Sequence, residues 1–506
     1  MIVKLSDLPD KITKYVRTNP VLIVAGLLII NFVIRIFIYY NTRLFYFSDY
    51  SAYLNGIENI AEGERQFLLT GNFMFAISYI GYFAKYILGS LDFFFVFNCL
   101  LGTLTSLVLY YLFVKVTGSS LTGIITVVIH TFYTEFMVFS SVFYTPVIMI
   151  FLLSLFILLF WFYVTTKNQI ILISTGGGLI FIFLLTFFFK PELKYLPWFF
   201  LIIGLCFIRK DISFSKKILT LFFLLLSSFY LFDNSGIISH PKGNVISNAF
   251  VFFGHTDYGG DGGEGSFVYP ENKIRYEASL AEYCKVKNIS NLTAGDYNTF
   301  RKYEIRKFIT QHPLKWIGLQ FTKFFRTFGV VPETTSFKVL YSGLFKGNLW
   351  LTSIVVVAPV ALIIILFILF FNYSAILQLI KGSTLDSQLS DLNAPRSTLN
   401  TQHDSDKTGF LIIYMLFCIY YIIATIFYGQ YQERYRLTLM VVFIIPSVSY
   451  FITGFDRRNI FKRISLIIRS ALIALFLSVW VFQTKKAVSN KVRFNKAMEL
   501  VEQARG

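Results

Sequence analysis

Apolar stretches long enough to cross a membrane recur along the whole chain, and this recurrence limits the fold more than any other feature. A helix needs about 20 consecutive apolar residues to span the hydrocarbon of a bilayer. The hydrophobic fraction of 55% and the mean hydropathy of +0.63 exceed those of soluble globular proteins. We therefore predict an all-α, multi-pass membrane protein with about eleven transmembrane helices. Their expected positions are 21–40, 93–114, 119–134, 143–165, 169–189, 195–208, 217–232, 349–371, 410–428, 437–453 and 461–483.

Basic residues predict the orientation of these helices. Loops on the cytoplasmic side of a membrane carry an excess of Lys and Arg. A cytoplasmic N-terminus places most basic loops on that side, namely Lys115, Lys167, the cluster 209–217, Lys381 and the cluster 457–463. The basic tail after Gln483 disagrees with this pattern, because the same count of spans leaves it outside.

The segment 73–89 is ambiguous between a span and a helix that lies in the membrane interface. It is short and holds Tyr79, Tyr82, Lys85 and Tyr86, which favours the interface. Counting it as a span would also move several basic loops to the outside. We therefore expect an interfacial helix in the first external loop.

These assignments divide the chain into modules on the two sides of the membrane. We expect a cytoplasmic N-terminus (1–20), an N-terminal transmembrane module (21–232) with its first external loop (41–92), a large extracytoplasmic loop (233–348), a C-terminal transmembrane module (349–483) with a cytoplasmic loop (372–408), and a basic C-terminal tail (484–506). The large loop contains a glycine-rich segment, 254–265. It also contains a basic amphipathic pattern, about 297–326, that predicts a helix on the membrane surface.

The net charge of +18 indicates contact with anionic membrane lipid. In a soluble chain such a charge would suggest nucleic acid, but the sequence contains no nucleic-acid-binding module. The four cysteines, Cys99, Cys206, Cys284 and Cys418, have neither the spacing of a metal site nor that of a disulfide framework.

Asp49 follows the first apolar segment, where the chain is expected to leave the membrane. Charged groups at membrane depth are costly, so charges at the ends of spans are candidates for function. A carboxylate at the boundary between water and membrane can accept the proton of a hydroxyl group. The alternative is an aspartate that caps a helix or is simply solvated in a loop.

The run Glu433-Arg434-Tyr435-Arg436 lies between two apolar segments near the end of the chain. Arginine stays charged and binds phosphate through two parallel hydrogen bonds, which suits a lipid phosphate as a leaving group. Two residues that are two apart on a helix do not share a face. We therefore expect one arginine to face the phosphate and the other to face lipid or a carboxylate. Anchoring to lipid headgroups is the alternative for the whole run.

Four segments resemble the GT-C-type glycosyltransferases, which use sugars linked to polyprenyl phosphate. They are 48–53 with its continuation 57–64, then 186–191, 294–316 and 433–437. Lys190 stands before Pro191 where the family more often has arginine, and Thr438 stands where the family has proline. The order of the segments on one membrane face most resembles the group of protein mannosyltransferases and aminoarabinose-to-lipid A transferases.

This resemblance implies roles for individual residues. Asp49 would be the catalytic base, and Lys190, Arg434 and Arg436 would bind the phosphate of the donor. The family usually has a second acidic residue in the next short external loop, where this chain has Glu135. Because the family's carboxylate often falls later, where this chain reads Tyr144-Thr145-Pro146, Glu135 is either a substitute catalytic residue or an exposed loop residue.

Four further residues are expected to contact substrate: Tyr53, His255, Glu433 and Tyr435. Glu58 and Glu62 are additional candidates, although a solvated helix face explains them equally well.

The glycine-rich segment raises the alternative of a metal site made by His255, Asp257, Asp261 and Glu264. Their spacing fits neither an EF-hand nor a phosphate-binding loop, so a flexible loop over the substrate is the favoured interpretation. No cofactor is required by the sequence, and a divalent cation remains an open alternative.

The sequence thus predicts an integral membrane glycosyltransferase that transfers a sugar from a polyprenyl-phosphate donor to a hydroxyl of a protein, glycan or lipid, with inversion. The expected location is a bacterial cytoplasmic membrane with the active site outside, or the endoplasmic reticulum in a eukaryote. One alternative is an O-antigen or polysaccharide polymerase or ligase that uses diphosphate-linked donors. The other is a transporter of lipid-linked sugars.

Overall fold

A computed structural model describes residues 18–42, 50–63, 75–189, 193, 195–207, 212–234, 251–259, 270–328, 335–370, 398–427, 433–453, 469–471, 473–475 and 477–478. Within these ranges every regular element is helical, which confirms the predicted all-α class for the described part of the chain.

Ten α-helices make up the first half of the described chain: α1 (Pro20–Thr42), α2 (Tyr50–Ala61), α3 (Phe75–Tyr82), α4 (Asp92–Thr117), α5 (Ser120–Phe132), α6 (Thr134–Phe139), α7 (Pro146–Thr165), α8 (Gln169–Phe189), α9 (Leu196–Phe207) and α10 (Ile212–Asn234). A π-helix, Phe83–Ile87, continues α3.

The described second half contains α11 (Pro270–Lys287), α12 (Ala294–Gln311), α13 (Pro313–Phe328), α14 (Thr335–Val339), α15 (Leu349–Phe370), α16 (Thr398–Ile422), α17 (Glu433–Thr438) and α18 (Ile445–Thr453). Three π-helices extend these elements: Leu340–Leu344 follows α14, Ile423–Phe427 follows α16, and Leu439–Ile444 joins α17 to α18.

Among the described residues, six helices are long and apolar enough to cross a membrane: α1, α4, α7, α8, α10 and α15. Four shorter apolar helices lie at Ser120–Phe132, Leu196–Cys206, Gly409–Thr425 and Tyr435–Tyr450. Each predicted segment from 21–40 to 437–453 falls on one of these helices, whereas 461–483 lies largely outside the described residues. The number of about eleven spans therefore remains a prediction.

The helices pack into a bundle whose outer surface is apolar. Val21, Ile170 and Ile173 expose 78%, 75% and 72% of their surface on helices that could span a membrane. Side chains of this kind are stable at a surface that faces lipid, where water does not oppose their exposure. Inside the bundle, α1 packs against α4 and α5, and α5 packs against α18.

One end of this bundle, here called the upper end, collects several helix termini. Tyr39, near the end of α1, donates a hydrogen bond to Asp92 at the start of α4. Gly343 of the π-helix after α14 lies so close to Thr42 that an added Cβ would be 2.9 Å from the threonine Cγ2. The end of α1, the start of α4 and the segment after α14 therefore meet at the upper end.

The connection between α5 and α7 does not lie on the surface. Every residue from Glu135 to Ile150 is buried, including the short helix α6 and the turn that follows it. Helices α1, α14 and α15 pack against α6 and cover it. This finding rules out the alternative of an exposed loop residue at Glu135, because neighbouring helices, which local sequence does not reveal, enclose the segment.

The amphipathic segment of the large loop is two helices and not one. Helices α12 and α13 separate at His312–Pro313, because proline lacks the N–H that would continue α12 and is favourable at the first position of a helix. On α13, Leu314, Ile317 and Phe321 are exposed by 81%, 42% and 59%. The opposite face of α13 is polar and packs against the protein, so its apolar face is the one available to lipid.

Residues 251–259, α11 and α12 form a small unit with its own aromatic core. Phe252, Tyr258, Tyr276 and Phe300 are all buried in this core. The Tyr258 hydroxyl donates to Glu304 at 2.9 Å, and burial raises the pKa of Tyr258 to about 12. The unit meets α13 through a hydrogen bond between Trp316 and His255.

Candidate functional site

An ion pair between Glu135 and Arg436 lies at the upper end of the bundle. The Nη2 of Arg436 donates a hydrogen bond to Oε1 of Glu135, and both side chains have 0% exposure. Charges are rarely buried to this degree, because removal from water costs several kcal/mol per ion. The pair therefore marks a place where the protein retains two opposite charges despite that cost.

Glu135 also contacts two hydroxyl groups. Tyr133 donates to Oε2 at 2.6 Å, and Ser336 of α14 donates to Oε1 at 3.4 Å. Both carboxylate oxygens thus accept hydrogen bonds, which offsets part of the cost of burial. Through these contacts Glu135 links α6, α14 and α17.

Of the two neighbouring arginines Arg434 and Arg436, the second contacts a carboxylate. Arg436 lies in the last turn of α17 and points into the bundle toward Glu135. The side chains of Glu433 and Arg434 lie outside the described residues.

Asp49 and Lys190 also lie outside the described residues, but the helices next to them are described. Asp49 lies between α1, which ends at the upper end, and α2. Lys190 follows α8, and α8 packs against α7, which starts directly after the buried segment beyond α6. Because α7 and α8 are joined by a short turn and run in opposite directions, the end of α8 belongs to the same end of the bundle.

Tyr53 and Tyr435, which were expected to contact substrate, are buried in the main apolar core. Tyr53 is 4% exposed and packs against Phe143 and Tyr144 with ring centroids 5.9 Å apart in both cases. Tyr435 is 5% exposed. Both rings belong to the main apolar core, and Tyr53 contacts the buried segment that follows Glu135. Contact of these two residues with substrate stays a prediction.

His255 and Asp257 are engaged by neighbouring side chains. The Nε1 of Trp316 donates to Nδ1 of His255 at 3.0 Å, and Asp257 forms an ion pair with Arg275 at 2.9 Å. Asp261 and Glu264, the other residues considered for a metal site, lie outside the described residues. His255 therefore fastens α13 to the unit around Tyr258.

Glu58 is held by two residues of the π-helix after α3. Its carboxylate accepts hydrogen bonds from Lys85 and Tyr86. The hydrogen bond from Lys85 is the main cause that lowers the pKa of Glu58. A carboxylate with a lowered pKa is a weaker proton acceptor, so this environment does not favour Glu58 as a general base.

Two buried cations near this end of the bundle were not singled out from the sequence. Arg35 of α1 and Lys323 of α13 both have 0% exposure. Burial lowers the pKa of Lys323 to about 7. The signal for Arg35 was a charge inside the apolar run 21–40, and for Lys323 it was a polar stripe, with Gln320 and Thr327, along an otherwise apolar helix.

In comparisons with known proteins, no family model matches the chain and no curated protein matches it. The apolar helices of the described residues are compatible, in length and composition, with a helical membrane protein.

Proposed function

We propose that this protein is an integral membrane glycosyltransferase that takes a sugar from a polyprenyl-phosphate donor and transfers it to a hydroxyl on the extracytoplasmic side. The observation that carries the proposal is the buried pair of Glu135 and Arg436 at the upper end of the bundle. This pair joins two of the segments singled out from the sequence, at the end where α1 terminates before Asp49.

Arg436 is the proposed ligand of the donor phosphate. As the sugar departs, the lipid phosphate gains negative charge, and a preorganised cation lowers the energy of that state. A guanidinium has five N–H donors, so contact with Glu135 is compatible with contact to a phosphate. Lys190 and Arg434 are the further cations proposed from the resemblance.

The two carboxylates have different proposed roles. Glu135 is the counter-ion of Arg436, and it fixes the direction of the guanidinium. Asp49 is the base: it takes the proton from the acceptor hydroxyl as the oxygen attacks the anomeric carbon and the bond to the phosphate breaks. Attack from the side opposite the phosphate inverts the configuration of that carbon.

The lipid part of the donor would reach the site from the membrane. Helix α13 presents apolar side chains outward and packs against α17 and against the π-helix Ile423–Phe427. A helix in this position borders both lipid and the segment that carries Arg436. The acceptor would approach from the side of the unit around Tyr258.

A transporter of lipid-linked sugars is a second candidate, because polar groups also lie within the apolar helices. Arg35 lies on α1, and His130 of α5 bonds to the carbonyl of Val441 at 2.9 Å. Buried ionisable groups within spans are typical of substrate pathways. At 1.5 Å rise per residue, Arg35 lies about 6 Å from the centre of α1 and about 10 Å from its end, a depth that also suits a transport pathway.

The test is transfer by purified protein in proteoliposomes with radiolabelled polyprenyl-monophosphate sugar. We expect Asp49→Asn to abolish transfer and Arg436→Gln to lower it at least 100-fold, as removal of a preorganised charge-stabilising group does in other enzymes. Glu271→Gln, an exposed carboxylate on α11, is the matched control and should retain wild-type transfer.

Three results would contradict the proposal. Wild-type transfer by Asp49→Asn would remove Asp49 as the base. Transfer only from diphosphate-linked oligosaccharide would favour a polymerase or ligase. Accumulation of intact labelled donor across the vesicle membrane, without a covalent product, would favour the transporter.

A further inference from the structure

Arg35 is a fully buried guanidinium within the first apolar helix. It has 0% exposure, and its described hydrogen-bond partners are a side-chain amide, a backbone carbonyl and a hydroxyl. None of these partners carries a negative charge. Burying a charge without a carboxylate partner costs free energy of folding, so such a residue is a candidate for a functional role.

Arg35 contacts α6, the short helix that carries Glu135. Its Nη1 donates to the carbonyl of Phe136 at 2.9 Å and also to the hydroxyl of Ser140. Its guanidinium lies over the ring of Phe136, with Cζ 4.2 Å from the ring centroid. Arg35 thus contacts the residue next to Glu135 by two independent interactions and fixes the end of α6 by a third.

The guanidinium is itself held in one direction. Its Nε donates to Oδ1 of Asn31 at 2.9 Å, and Asn31 in turn bonds to Thr131 at 3.2 Å and Thr103 at 3.1 Å. On another side, Cζ would lie 2.5 Å from a Cβ added to Gly102. Hydrogen bonds that involve α1, α4, α5 and α6, together with the close backbone of α4, therefore leave the guanidinium little freedom.

We propose that Arg35 is a positioning residue for the Glu135–Arg436 pair. By fixing α6 against α1, it sets the place from which Glu135 reaches Arg436, and thereby the direction of the arginine toward the donor phosphate. A displacement of about 1 Å at such a site can cost about 100-fold in rate. This role rests on the proposed function, since it assumes that the pair serves the transfer reaction.

The kinetic test is a double-mutant cycle between Arg35 and Glu135. We expect Arg35→Met to lower kcat for transfer at least tenfold in the wild-type background and to have little further effect in Glu135→Gln, because both changes disturb one pair. Arg35→Lys should recover part of the rate, since it keeps the charge but loses the fork of donors. An equal loss in both backgrounds would overturn the proposal.

Milder variants guard against loss of folding in Arg35→Met. Ser140→Ala removes one of the bonds to Arg35, and we expect a two- to fivefold loss of kcat that again disappears in the Glu135→Gln background. Ser154→Ala is the matched control, because Ser154 of α7 is also buried but its hydroxyl has no hydrogen-bond partner among the described residues. Equal rates for Ser140→Ala and Ser154→Ala would contradict the proposal.

A spectroscopic test separates this proposal from the proposed function. The infrared carboxylate band of Glu135 can be assigned by its loss in Glu135→Gln, and we expect Arg35→Met and Ser140→Ala to shift it, unlike Ser154→Ala. If the band shifts while Glu135→Gln keeps wild-type transfer, Arg35 positions the pair but the pair does not serve the reaction. An unshifted band in Arg35→Met would refute the positioning role whatever the activity.

Discussion

Glu135 and Arg436 lie 301 positions apart in the chain and form an ion pair without exposed surface. The contact joins α6, in the first half of the bundle, to α17, which precedes the last described long stretch of helix. Each charge offsets part of the desolvation cost of the other, so removing one partner would leave an uncompensated buried charge. The pair thus couples the docking of two distant segments to the geometry of the proposed site.

Breaking the pair from one side should destabilise the protein more than replacing both partners. Glu135→Gln or Arg436→Gln leaves one buried charge without its partner, and we expect a loss of about 3–5 kcal/mol in the free energy of unfolding. The double variant Glu135→Gln/Arg436→Met leaves no buried charge from the pair and should lose less than either single variant. Denaturant titration of the purified protein in detergent measures all three values. Glu277→Gln, which breaks an exposed pair with Lys273, should barely change stability, and additive losses at the buried pair would refute the expectation.

Gly102 is the place where α4 makes room for Arg35. In Gly102→Ala the new Cβ would meet the guanidinium, which cannot move without giving up its bonds to Asn31 and Phe136. We expect a loss of about 1–3 kcal/mol from overpacking, despite the better helix propensity of alanine. Thermal unfolding in detergent gives the sign of the change.

Gly177→Ala provides the comparison for Gly102→Ala. Gly177 lies within α8, another helix that could span a membrane, and no atom lies within 4 Å of its added Cβ. Alanine should be neutral there or stabilise by up to about 1 kcal/mol. Similar destabilisation by both substitutions would show that the contact with Arg35 is not the cause.

Much of the helical architecture could be predicted from the sequence, because long apolar runs leave few alternatives in a membrane. The pairing of Glu135 with Arg436 could not. Each residue was singled out by its own segment, but their contact depends on how α6, α14 and α17 pack, and no local pattern encodes that packing. For the same reason an exposed position for Glu135 was an open alternative, and the structure shows it to be wrong.

Two other differences have signals in the sequence. Pro313 marked the break between α12 and α13, since the residue before a proline is driven out of the helical conformation. Arg35 stood as a charge within an apolar run. The burial of Tyr53 and Tyr435 could not be predicted from the sequence, because an aromatic residue at the end of a span is found at the membrane interface as well as in a core.

The hydrogen bond from Trp316 to His255 should control how tightly α13 holds residues 251–259. Trp316→Phe keeps an aromatic ring beside the imidazole but removes the Nε1–H donor. We expect a local loss of about 1 kcal/mol and faster amide hydrogen exchange in 251–259, measured by mass spectrometry. Trp350→Phe, at a side chain that is 73% exposed, should leave this exchange unchanged. Unchanged exchange in Trp316→Phe would show that other contacts hold the segment.

Lys323 should make the stability of the protein depend on pH above neutrality. Burial lowers its pKa from the ordinary 10.5 to about 7 in the folded protein, so the unfolded chain binds one more proton between these values. Stability should therefore rise with pH across this window, by at most about 1.4 kcal/mol per pH unit. Below about pH 7 both states are protonated at Lys323, and its contribution to the slope vanishes.

Unfolding midpoints at pH 7 and pH 9 test this expectation, with Lys323→Met predicted to flatten the rise and Lys315→Met, an exposed lysine on α13, predicted to preserve it. The upper limit of pH 9 matters because Tyr258 has a raised pKa of about 12 in the folded state. Between about pH 10 and pH 12 the folded protein holds that proton more tightly than the unfolded chain, so stability would fall with pH and mask the lysine. An identical rise in wild type and Lys323→Met would show that another group is responsible.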